Sequence, residues 1–537
     1  MNLDFKYVQD MERDGVIYDL QKADITRCNE FWRFWRTPAA DAIKKYIYIR
    51  QENCKWFAYR LKNKDESIGI SYGEFNLRYQ LQDQSKLLPY QHAAVSHLVQ
   101  SIIDNGAAAD GSDTGTGKTY HALAVCRELN LRPLIVCRIA GFPGWRKACR
   151  YMNVTPLAIV NWELMRTAKV SIARPDDKPL QILMRKKRAY RAGYDYSWTL
   201  PKGTILIFDE AHLGFNQDSQ NYALWTASAG RVSLSLSATF ADRPARLKGL
   251  FQVLRVMDVE TFDKWLVERG HFMNQYNDLE SLTALDDMKA INKILYPKYG
   301  YRVSYEDPAV KAYFPERVIQ TEIVNLGAKL SAEHNQAYAE MIAKAIKLKE
   351  LGKQAELLVA DLRYRQQAEL LKVKALVEMV REYLYERMSV VVFVNFRETL
   401  RYLAEILNTK SLIFGDQERF GISREDVMED FQENRTQMIL CMVDAGGQSL
   451  DLHDLEGSHR RISLICPTYN PVALQQVLGR TYRAGSKSIP IMKLVYAGGT
   501  VEEKVAETVN RKLDNIMALN DGDLMEPDLF RLGGKND

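Results

Sequence analysis

The stretch 111–119 constrains the chain most, because it has the composition and order of a loop that wraps a triphosphate. Its small residues let backbone N–H groups turn toward the β- and γ-phosphates, Lys118 supplies a positive charge, and the Thr119 hydroxyl is a ligand for Mg²⁺. Gly- and Thr-rich turns also occur as plain connectors, and Ser112 replaces the first glycine of the strict pattern, so the loop alone leaves both interpretations open. The predicted ATP contacts in this loop are Ser112, Asp113, Thr114, Gly115, Thr116, Gly117, Lys118 and Thr119.

The sequence around this loop favours nucleotide binding. Residues 107–109 predict a short buried strand before it and residues 121–125 a helix after it, so the loop lies at a helix N-terminus. A second apolar run, 204–208, ends in Asp209 and Glu210, where a parallel sheet presents ligands to its crevice. There Asp209 can hold Mg²⁺ through water and Glu210 can polarise the attacking water. Acidic residues are also common at helix N-termini, but together with the loop the pair predicts nucleotide hydrolysis.

Alternating strand and helix patterns predict an α/β fold with a doubly wound parallel sheet. The pattern becomes helical and charged after the first sheet region, and buried strands resume near residue 389, as if one architecture were used twice. Pro89 begins a helix at the entry to the first sheet region, and we predict that the nearby Gln91 amide reads an adenine edge. The predicted units are an N-terminal accessory domain (1–82), a first lobe (83–257), a helical bridging region (258–385), a second lobe (386–510) and a C-terminal tail (511–537).

Composition excludes several classes of protein. A chain of 537 residues is too long for one core and suggests about three domains. The net charge of +5 is small for this size, so a nucleic-acid surface has to be a local patch. No apolar run approaches the length of a membrane span, and the seven cysteines have no paired short spacing, which argues against a zinc site or a disulfide framework. We expect a soluble intracellular protein of the cytoplasm or nucleoid, with a nuclear location left open, and no membrane partner.

Two stretches are candidates for nucleic-acid contact. Residues 31–60 interleave aromatic and basic side chains that could stack on bases, although an accessory domain with its own aromatic core is the favoured interpretation. Residues 184–191 are the densest basic run in the chain, which is usually a solvated face. The alternative is a loop that grips phosphates through Arg185, Lys186, Lys187, Arg188 and Arg191.

The second lobe has a signature of its own in residues 475–483, on a predicted helix after a strand. Arg480 and Arg483 are three residues apart, so a helix would point both toward one anion. Alone, such a pair is usually a solvated face. With a phosphate loop in the other lobe, the two arginines are candidates to close the cleft over the γ-phosphate, where a planar guanidinium stabilises spreading charge.

These motifs, in this order, resemble those of superfamily 2 helicases, and within them the Swi/Snf-type double-stranded DNA translocases. The similarity extends over roughly residues 85–515. Along the chain, the matching segments are 88–91, 112–119, 136–145, 209–212, 237–239, 314–317, 330–331 with Gln336 and Tyr338, 392–396, 445–452, 470–483 and 499–504.

The resemblance implies two RecA-like lobes that close on ATP and open after hydrolysis, with Mg²⁺ as cofactor held by Thr119 and Asp209. It implies that this motor steps along duplex or branched DNA. It also implies catalytic roles for Asp209, Glu210, Arg480 and Arg483, further ATP contacts at Gly447 and Asp451, coupling by Ser237, Ala238, Thr239 and Gln476, and a nucleic-acid contact at Trp145.

Three departures from the Swi/Snf pattern keep other functions open. The triplet 237–239 is usual in strand-separating helicases, Arg138 stands in place of a proline, and 484–487 lacks the usual glutamine. A strand-separating DNA or RNA helicase is therefore the first alternative, and RNA stays open as a partner. An inactive nucleic-acid-binding scaffold is the second, against which the intact Lys118, Glu210 and Arg483 argue. The sequence does not identify protein partners.

Overall fold

The structure is a computed structural model that describes residues 46–52, 55–60, 79, 81–502 and 519, with internal gaps. The gaps are 80, 173–179, 189–192, 274–278, 281–283, 306, 315, 317, 328–331, 333–335, 337–339, 341–353, 416, 447–449, 469, 484, 499 and 501. Most of the accessory domain and the whole tail after residue 519 therefore lie outside the described residues. So do the predicted positions Arg191, Gly447, Pro315, Arg317, Leu330, Ser331 and Tyr338.

A two-stranded antiparallel hairpin is described within the predicted accessory domain. It consists of β1 (Tyr46–Glu52) and β2 (Lys55–Arg60).

Lobe 1 is built on a six-stranded parallel sheet in the order β14-β3-β11-β10-β4-β5. Its central strands are short apolar runs, as a parallel sheet covered on both faces requires, and the first five residues of β10 are all buried. The strands from residue 107 to residue 301 are β3 (Ala107–Asp110), β4 (Arg132–Cys137), β5 (Ala158–Asn161), β6 (Ser171–Ile172), β7 (Leu180–Gln181), β8 (Leu183–Lys187), β9 (Tyr194–Trp198), β10 (Thr204–Asp209), β11 (Ser233–Leu236), β12 (Phe272–Met273), β13 (Leu279–Glu280) and β14 (Gly300–Tyr301).

Helices cover both faces of this sheet. Proline begins the first of them and Gly106, at a φ of 76°, ends it in the left-handed region that glycine tolerates. They are α1 (Pro89–Asn105), α2 (Lys118–Glu128), α3 (Phe142–Met152), α4 (Trp162–Arg166), α5 (Gln220–Thr226), α6 (Lys248–Val253), α7 (Val259–Glu268) and α8 (Ala284–Leu295), followed by α9 (Pro308–Lys311) in the linker to the second lobe. None of the helices in the described part of the chain combines the length and apolar character needed to cross a bilayer.

Lobe 2 repeats the architecture with a six-stranded parallel sheet in the order β15-β20-β19-β16-β18-β17. All six residues of its central strand β16 are buried. The strands are β15 (Val318–Val324), β16 (Ser389–Val394), β17 (Leu412–Ile413), β18 (Met438–Met442), β19 (Arg461–Ile465) and β20 (Ile491–Ala497). The helices are α10 (Gln354–Leu371), α11 (Val373–Tyr385), α12 (Arg397–Ile406), α13 (Arg424–Gln432), α14 (Val443–Gly446) and α15 (Pro471–Leu478). The predicted pair of RecA-like parallel-sheet lobes is thus confirmed.

The structure changes one local prediction and defines the form of a second segment. Residues 258–385, predicted as a helical bridge, contribute an edge strand to each sheet, β14 to lobe 1 and β15 to lobe 2. Both strands lack a continuous apolar run, because an edge strand is only half covered. The basic run, for which the sequence favours a solvated face and leaves a phosphate-gripping loop as the alternative, forms β8 of an antiparallel hairpin with β9.

An apolar cluster continues from one lobe into the other. It joins Tyr90 on α1, Tyr305 and Phe314 in the linker, and Tyr482 after α15 to the core beneath the lobe 2 sheet. Buried apolar surface favours this contact, so the two lobes and the linker face one another across a packed interface.

Candidate nucleotide-binding site between the two lobes

The phosphate loop connects the end of β3 to the start of α2. Gly115 and Gly117 have φ values of 81° and 103°, which L side chains rarely adopt. A Cβ at Gly117 would collide with Gln91 Nε2, and one at Gly115 would lie 2.6 Å from Arg483 Cδ. Glycine is therefore required at both positions by the backbone and by close neighbours, one of which comes from lobe 2.

Lys118 is half-buried and folds back on its own loop. Its Nζ donates to the carbonyl oxygens of Ser112 at 2.8 Å and Asp113 at 3.0 Å. Burial lowers the pKa of the lysine, and the carboxylates of Asp110 and Glu210 oppose that shift. The ammonium thus lies inside the loop, where phosphate oxygens could replace the two carbonyls. Thr119 follows it on the first turn of α2, half-buried.

The Gln91 amide is engaged by the chain itself. Its Nε2 donates to the carbonyl oxygen of Thr116 at 2.8 Å, and its Oε1 accepts from the backbone N of Leu88 at 2.9 Å. The side chain is 4% exposed. Gln91 thus fastens the start of α1 to the phosphate loop. That its amide reads an adenine edge stays a prediction, which requires the amide to exchange one of these bonds. The Tyr90 hydroxyl donates to the same Thr116 carbonyl at 3.1 Å.

The acidic pair lies at the carboxyl end of β10, as the apolar run predicted. Burial and the neighbouring Glu210 raise the pKa of Asp209 to about 6. Glu210 follows with a φ of 52°, in the left-handed region that non-glycine residues seldom occupy. Such backbone is found where surrounding structure holds a side chain in one orientation.

Trp145 does not present a surface to nucleic acid. It is 2% exposed within the core of lobe 1, and its Nε1 donates to Asp209 Oδ2 at 2.8 Å. The prediction of a nucleic-acid contact at this residue is wrong, because a buried ring has no face on which a base could stack. Its function in the fold is to orient the Asp209 carboxylate.

Glu210 is the centre of a polar network that spans the two lobes. Gln476 Nε2, on α15, donates to Glu210 Oε2 at 3.2 Å. His212 Nδ1 lies 3.3 Å from the same oxygen and 3.0 Å from Ser237 Oγ. Burial lowers the pKa of His212 to about 4, so its ring is neutral at physiological pH. Ser237 Oγ in turn donates to the carbonyl of Thr239 at 2.9 Å, and Ala238 between them is buried. Three of the predicted coupling residues, Gln476, Ser237 and Thr239, are thus in one hydrogen-bonded chain with Glu210.

The two arginines lie after α15 and not on it, because that helix ends at Leu478. The prediction that a shared helical face aligns them is wrong, yet both side chains still reach one place. Arg480 Nη1 and Arg483 Nη2 each donate to the Leu450 carbonyl at 3.4 Å, and Arg483 Nη2 also pairs with Asp451 Oδ1 at 3.0 Å. Burial and the neighbouring Arg483 lower the pKa of Arg480 to about 10, which leaves it charged at neutral pH.

Lobe 2 touches the phosphate loop through this arginine segment, residues 479–483. A Cβ at Gly479 would collide with Thr114 Oγ1, and Arg483 packs on Gly115. The structure therefore brings Lys118 and Thr114 of lobe 1 together with the arginine segment of lobe 2. The site is therefore formed by residues of both lobes, whose sheets come from separate halves of the chain.

The donor set fits Mg²⁺. The Thr119 hydroxyl and the Asp209 carboxylate are hard oxygen donors, which magnesium prefers. Burial and the neighbouring Glu210 raise the pKa of Asp209, so a positive charge bound beside it would favour its ionised form. These residues would hold the metal, which would neutralise phosphate charge when bound.

The basic hairpin lies outside this site. The Arg185 guanidinium lies 4.4 Å from the centre of the Tyr194 ring and donates to the Arg166 carbonyl at 3.1 Å. Arg188 pairs with Asp195 at 2.7 Å. Lys186 and Lys187 are exposed.

Sequence reasoning missed four residues that shape the loop. Asp110 and His121 form a fully buried pair at 2.8 Å, and Asp110 Oδ1 also accepts from the Ser112 backbone N. Arg302 pairs with Asp113 at 2.9 Å, and the Tyr305 hydroxyl lies 2.9 Å from Thr114 Oγ1. Asp110 is the polar residue that ends β3, a strand of small residues, and this pattern could have indicated its pair with His121. Nothing local indicates the second, because Arg302 and Tyr305 are distant in the chain.

Comparisons with known proteins agree with this geometry. Residues 371–485 match the helicase conserved C-terminal domain. A protein of Acanthamoeba polyphaga mimivirus, named "Putative ATP-dependent RNA helicase", is 29% identical over 469 residues, which cover 82% of this chain and 84% of that protein.

Solved structures with weaker similarity include two helicase-like proteins. The Sulfolobus solfataricus SWI2/SNF2 ATPase core in complex with dsDNA is 16% identical, covers 83% of this chain and 95% of its own, and has a TM-score of 0.31. S. cerevisiae Dbp5 bound to RNA and ADP BeF3 is 14% identical, covers 82% and 88%, and has a TM-score of 0.42. With both TM-scores under 0.5, neither structure distinguishes one substrate from another.

The matched domain covers the part of the chain that supplies Gln476, Arg480 and Arg483, and the mimivirus relative extends over both lobes. The chain therefore contains a helicase C-terminal domain and resembles superfamily 2 helicases, and it is an enzyme that hydrolyses ATP to drive a motor on nucleic acid.

Proposed function

We propose that this motor translocates on duplex or branched DNA and that ATP hydrolysis takes place between the two lobes. The observation that carries the proposal is the contact of one lobe 2 segment with both halves of the lobe 1 site. Gln476 bonds to Glu210, and Arg483 packs on Gly115 of the phosphate loop. A site completed by two lobes turns over only when they are closed, which is how hydrolysis is linked to movement.

Each side chain has a separate task in this proposal. Lys118 exchanges its two loop carbonyls for phosphate oxygens. Glu210 orients the attacking water, with its carboxylate held by Gln476 and by the neutral His212. Arg483 carries a fixed positive charge to the γ-phosphate, where charge spreads over the equatorial oxygens in the transition state. Thr119 and Asp209 hold Mg²⁺.

Nucleic acid is bound chiefly through its backbone. The exposed lysines of the hairpin formed by β8 and β9 supply positive charge to phosphates, which gives weak sequence selectivity and strong dependence on salt. The hairpin packs on α4, because Arg185 and Tyr196 both donate to the Arg166 carbonyl. Since α4 directly follows β5, this anchors the hairpin near the carboxyl edge of the sheet, which also carries the phosphate loop.

The preference for duplex DNA rests on the segments that resemble Swi/Snf-type proteins beyond the shared helicase motifs. These are the stretch that opens the second lobe, around Phe314 and Gln336, and the closing segment, residues 499–504. In the structure, the Glu502 carboxylate of that closing segment pairs with the buried Lys372 at 2.8 Å. The closing segment is therefore fastened to lobe 2.

A strand-separating RNA helicase is the second candidate. Ser237 is hydrogen-bonded to His212. The triplet 237–239, which is usual in strand-separating enzymes, therefore contacts the acidic motif 209–212 directly. The mimivirus relative, 29% identical, is named as an RNA helicase.

One panel of substrates decides between the candidates. We would measure ATPase rate with blunt duplex DNA, forked DNA, single-stranded DNA and single-stranded RNA, and strand displacement on tailed duplexes. The proposal expects the largest stimulation with blunt or branched DNA and no displacement. Stimulation by RNA with displacement would establish the second candidate, and absence of turnover with every substrate would indicate an inactive scaffold. Glu210→Gln serves as the control that separates this ATPase from contaminating activity.

A further inference from the structure

The linker segment, residues 301–305, leaves the end of β14 and runs beside the phosphate loop. The parallel pairing of β14 with β3 continues beyond both strands: the backbone N of Gly111 donates to the Tyr301 carbonyl, and that of Asp113 donates to the Val303 carbonyl, each at 2.9 Å. In return, the backbone N of Val303 donates to Ser112 Oγ at 3.0 Å. The first half of the loop is therefore fixed by a segment almost 200 residues later in the chain.

The linker segment also neutralises the one acidic residue of the loop. Arg302 pairs with Asp113 Oδ1 at 2.9 Å, and the backbone N of Tyr305 donates to Asp113 Oδ2 at 2.9 Å. The Arg302 and Asp113 side chains are only 9% and 15% exposed, so water screens the pair poorly. Without Arg302, a buried carboxylate would remain in the loop that has to receive a triphosphate, and like charges there would repel.

The same segment reaches the arginine segment of lobe 2. The Tyr305 hydroxyl bonds to Thr114, while its ring meets the Tyr482 ring edge-on at a centroid distance of 4.8 Å. Tyr482 lies between Arg480 and Arg483 in the chain. Phe314 packs on both rings, at 5.1 Å from Tyr305 and 5.3 Å from Tyr482. One tyrosine thus contacts the phosphate loop with its hydroxyl and the arginine segment with its ring.

We propose that Arg302 and Tyr305 are positioning residues for ATP hydrolysis. Arg302 keeps the phosphate loop receptive to ATP by neutralising Asp113, and Tyr305 links the loop to the arginine segment, so that loop shape and lobe closure change together. This inference rests on the proposed assignment of residues 111–119 as the ATP phosphate loop. It adds a third part of the chain, the linker, to the two lobes that form the site.

The first test uses charge. Arg302→Ala should weaken binding of a fluorescent ATP analogue by about tenfold, since it leaves an uncompensated carboxylate. Adding Asp113→Asn should restore affinity to within about threefold, because the carboxylate is then gone. If the pair only stabilises the fold, the double variant should bind the ATP analogue no more tightly than Arg302→Ala does. Arg127→Ala is the matched control, because it removes another lobe 1 ion pair, with Asp83, and should leave affinity unchanged.

The second test separates the two ends of Tyr305. Tyr305→Phe keeps the ring and should retain nucleic-acid stimulation of turnover, while raising the KM for ATP. Tyr305→Leu removes the ring contact with Tyr482 and should also lower the ratio of stimulated to basal kcat. Equal stimulation ratios in the two variants would overturn the link to lobe 2, and unchanged ATP affinity in Arg302→Ala would overturn the charge argument. If the wild type hydrolyses no ATP, the proposed function fails, while the binding measurements still decide the role of Arg302.

Discussion

At the scale of single residues, Lys118 and Glu210 touch different parts of the reaction, and their loss should be distinguishable. Lys118→Ala removes the loop ammonium and should abolish both turnover and tight ATP binding. Glu210→Gln keeps an oxygen that can accept from Gln476 Nε2, which now lies 3.2 Å from the carboxylate, so ATP should still bind. Turnover should fall by roughly 10²- to 10⁴-fold, the range for loss of a general base. Parallel measurement of ATPase rate and nucleotide affinity checks this; near-normal turnover in Glu210→Gln would contradict the assignment.

Arg483 should contribute to catalysis more than to binding. Its side chain packs on Gly115 and pairs with the exposed Asp451, so the guanidinium is close to the phosphate loop and easily released. Arg483→Ala should leave nucleotide and nucleic-acid affinities almost unchanged while reducing stimulated turnover on the order of 10³-fold, as for a lost arginine finger. Arg435→Ala is the control, because that lobe 2 arginine pairs with acidic neighbours on its own surface. Full stimulation in Arg483→Ala would place the catalytic arginine elsewhere.

The residue identities of the site could largely be predicted, whereas their contacts could not. The order of residues 111–119 and the pair Asp209 and Glu210 follow apolar strands, so local pattern indicates them. Trp145 is buried against Asp209 and does not face nucleic acid. This could not be predicted, because an aromatic residue in a motif does not reveal which side of the sheet it faces. The bond between Arg302 and Asp113 joins residues 189 positions apart in number, and no periodicity records such a pair.

At the scale of elements, the hairpin of β8 and β9 should carry salt-dependent binding through two of the four basic residues that the structure describes in it. Arg185 and Arg188 already have partners in Tyr194 and Asp195, whereas Lys186 and Lys187 are exposed. Replacing the two lysines with alanine should weaken duplex binding. It should also reduce the slope of log K against log salt by about 0.9 for each phosphate that the protein no longer neutralises.

A matched variant makes that measurement specific. Lys202→Ala combined with Lys264→Ala removes the same charge from exposed positions of lobe 1, with Lys202 at the opposite edge of the sheet from the phosphate loop. Only the hairpin variant should change the salt slope. An equal change in both would mean that overall charge and not the hairpin attracts nucleic acid.

Strands with continuous apolar runs could be predicted from the sequence, whereas the edge strands of the sheets and the end of α15 could not. The central strands β10 and β16 are buried along nearly their whole length, which gives a strong signal. The edge strands β14 and β15 have mixed exposure, so their sequence does not distinguish them from the surrounding helical pattern. The end of α15 at Leu478 could not be predicted either. The two arginines that follow have the spacing of a helical face, although their backbone is not helical.

At the scale of the whole molecule, the two-lobe architecture could be predicted because each lobe repeats the same alternation of strands and helices. How the lobes meet could not, since their contact depends on single close approaches such as Gly479 against Thr114. The linker adds to that contact through Tyr305 and Phe314, which bury apolar surface between lobe 1 and Tyr482. The arrangement of two domains depends on many long-range contacts, whereas sequence periodicity is a local property.

That close approach provides a test of whether lobe closure is needed for turnover. A Cβ at Gly479 would collide with Thr114 Oγ1 and lie 2.7 Å from Thr114 Cβ, so Gly479→Ala has to separate the arginine segment from the phosphate loop. Stimulated kcat should fall by about tenfold or more, since roughly 1.4 kcal/mol of strain in the closed state is enough. ATP affinity should change much less, because most phosphate contacts come from lobe 1.

A second substitution shows whether this clash is the cause. In a Thr114→Gly background the clashing side chain is absent, so adding Gly479→Ala should reduce stimulated kcat little further, and the two changes should be strongly non-additive. Gly144→Ala is the control, because a Cβ there meets nothing within 4 Å. If Gly479→Ala lowers stimulated kcat by the same factor in the Thr114→Gly background as in the wild type, the lobes do not need this contact to hydrolyse ATP. Non-additivity would instead show that the arginine segment has to reach the phosphate loop in each cycle, because the Tyr305 bond that Thr114→Gly removes is absent with and without Gly479→Ala in that background.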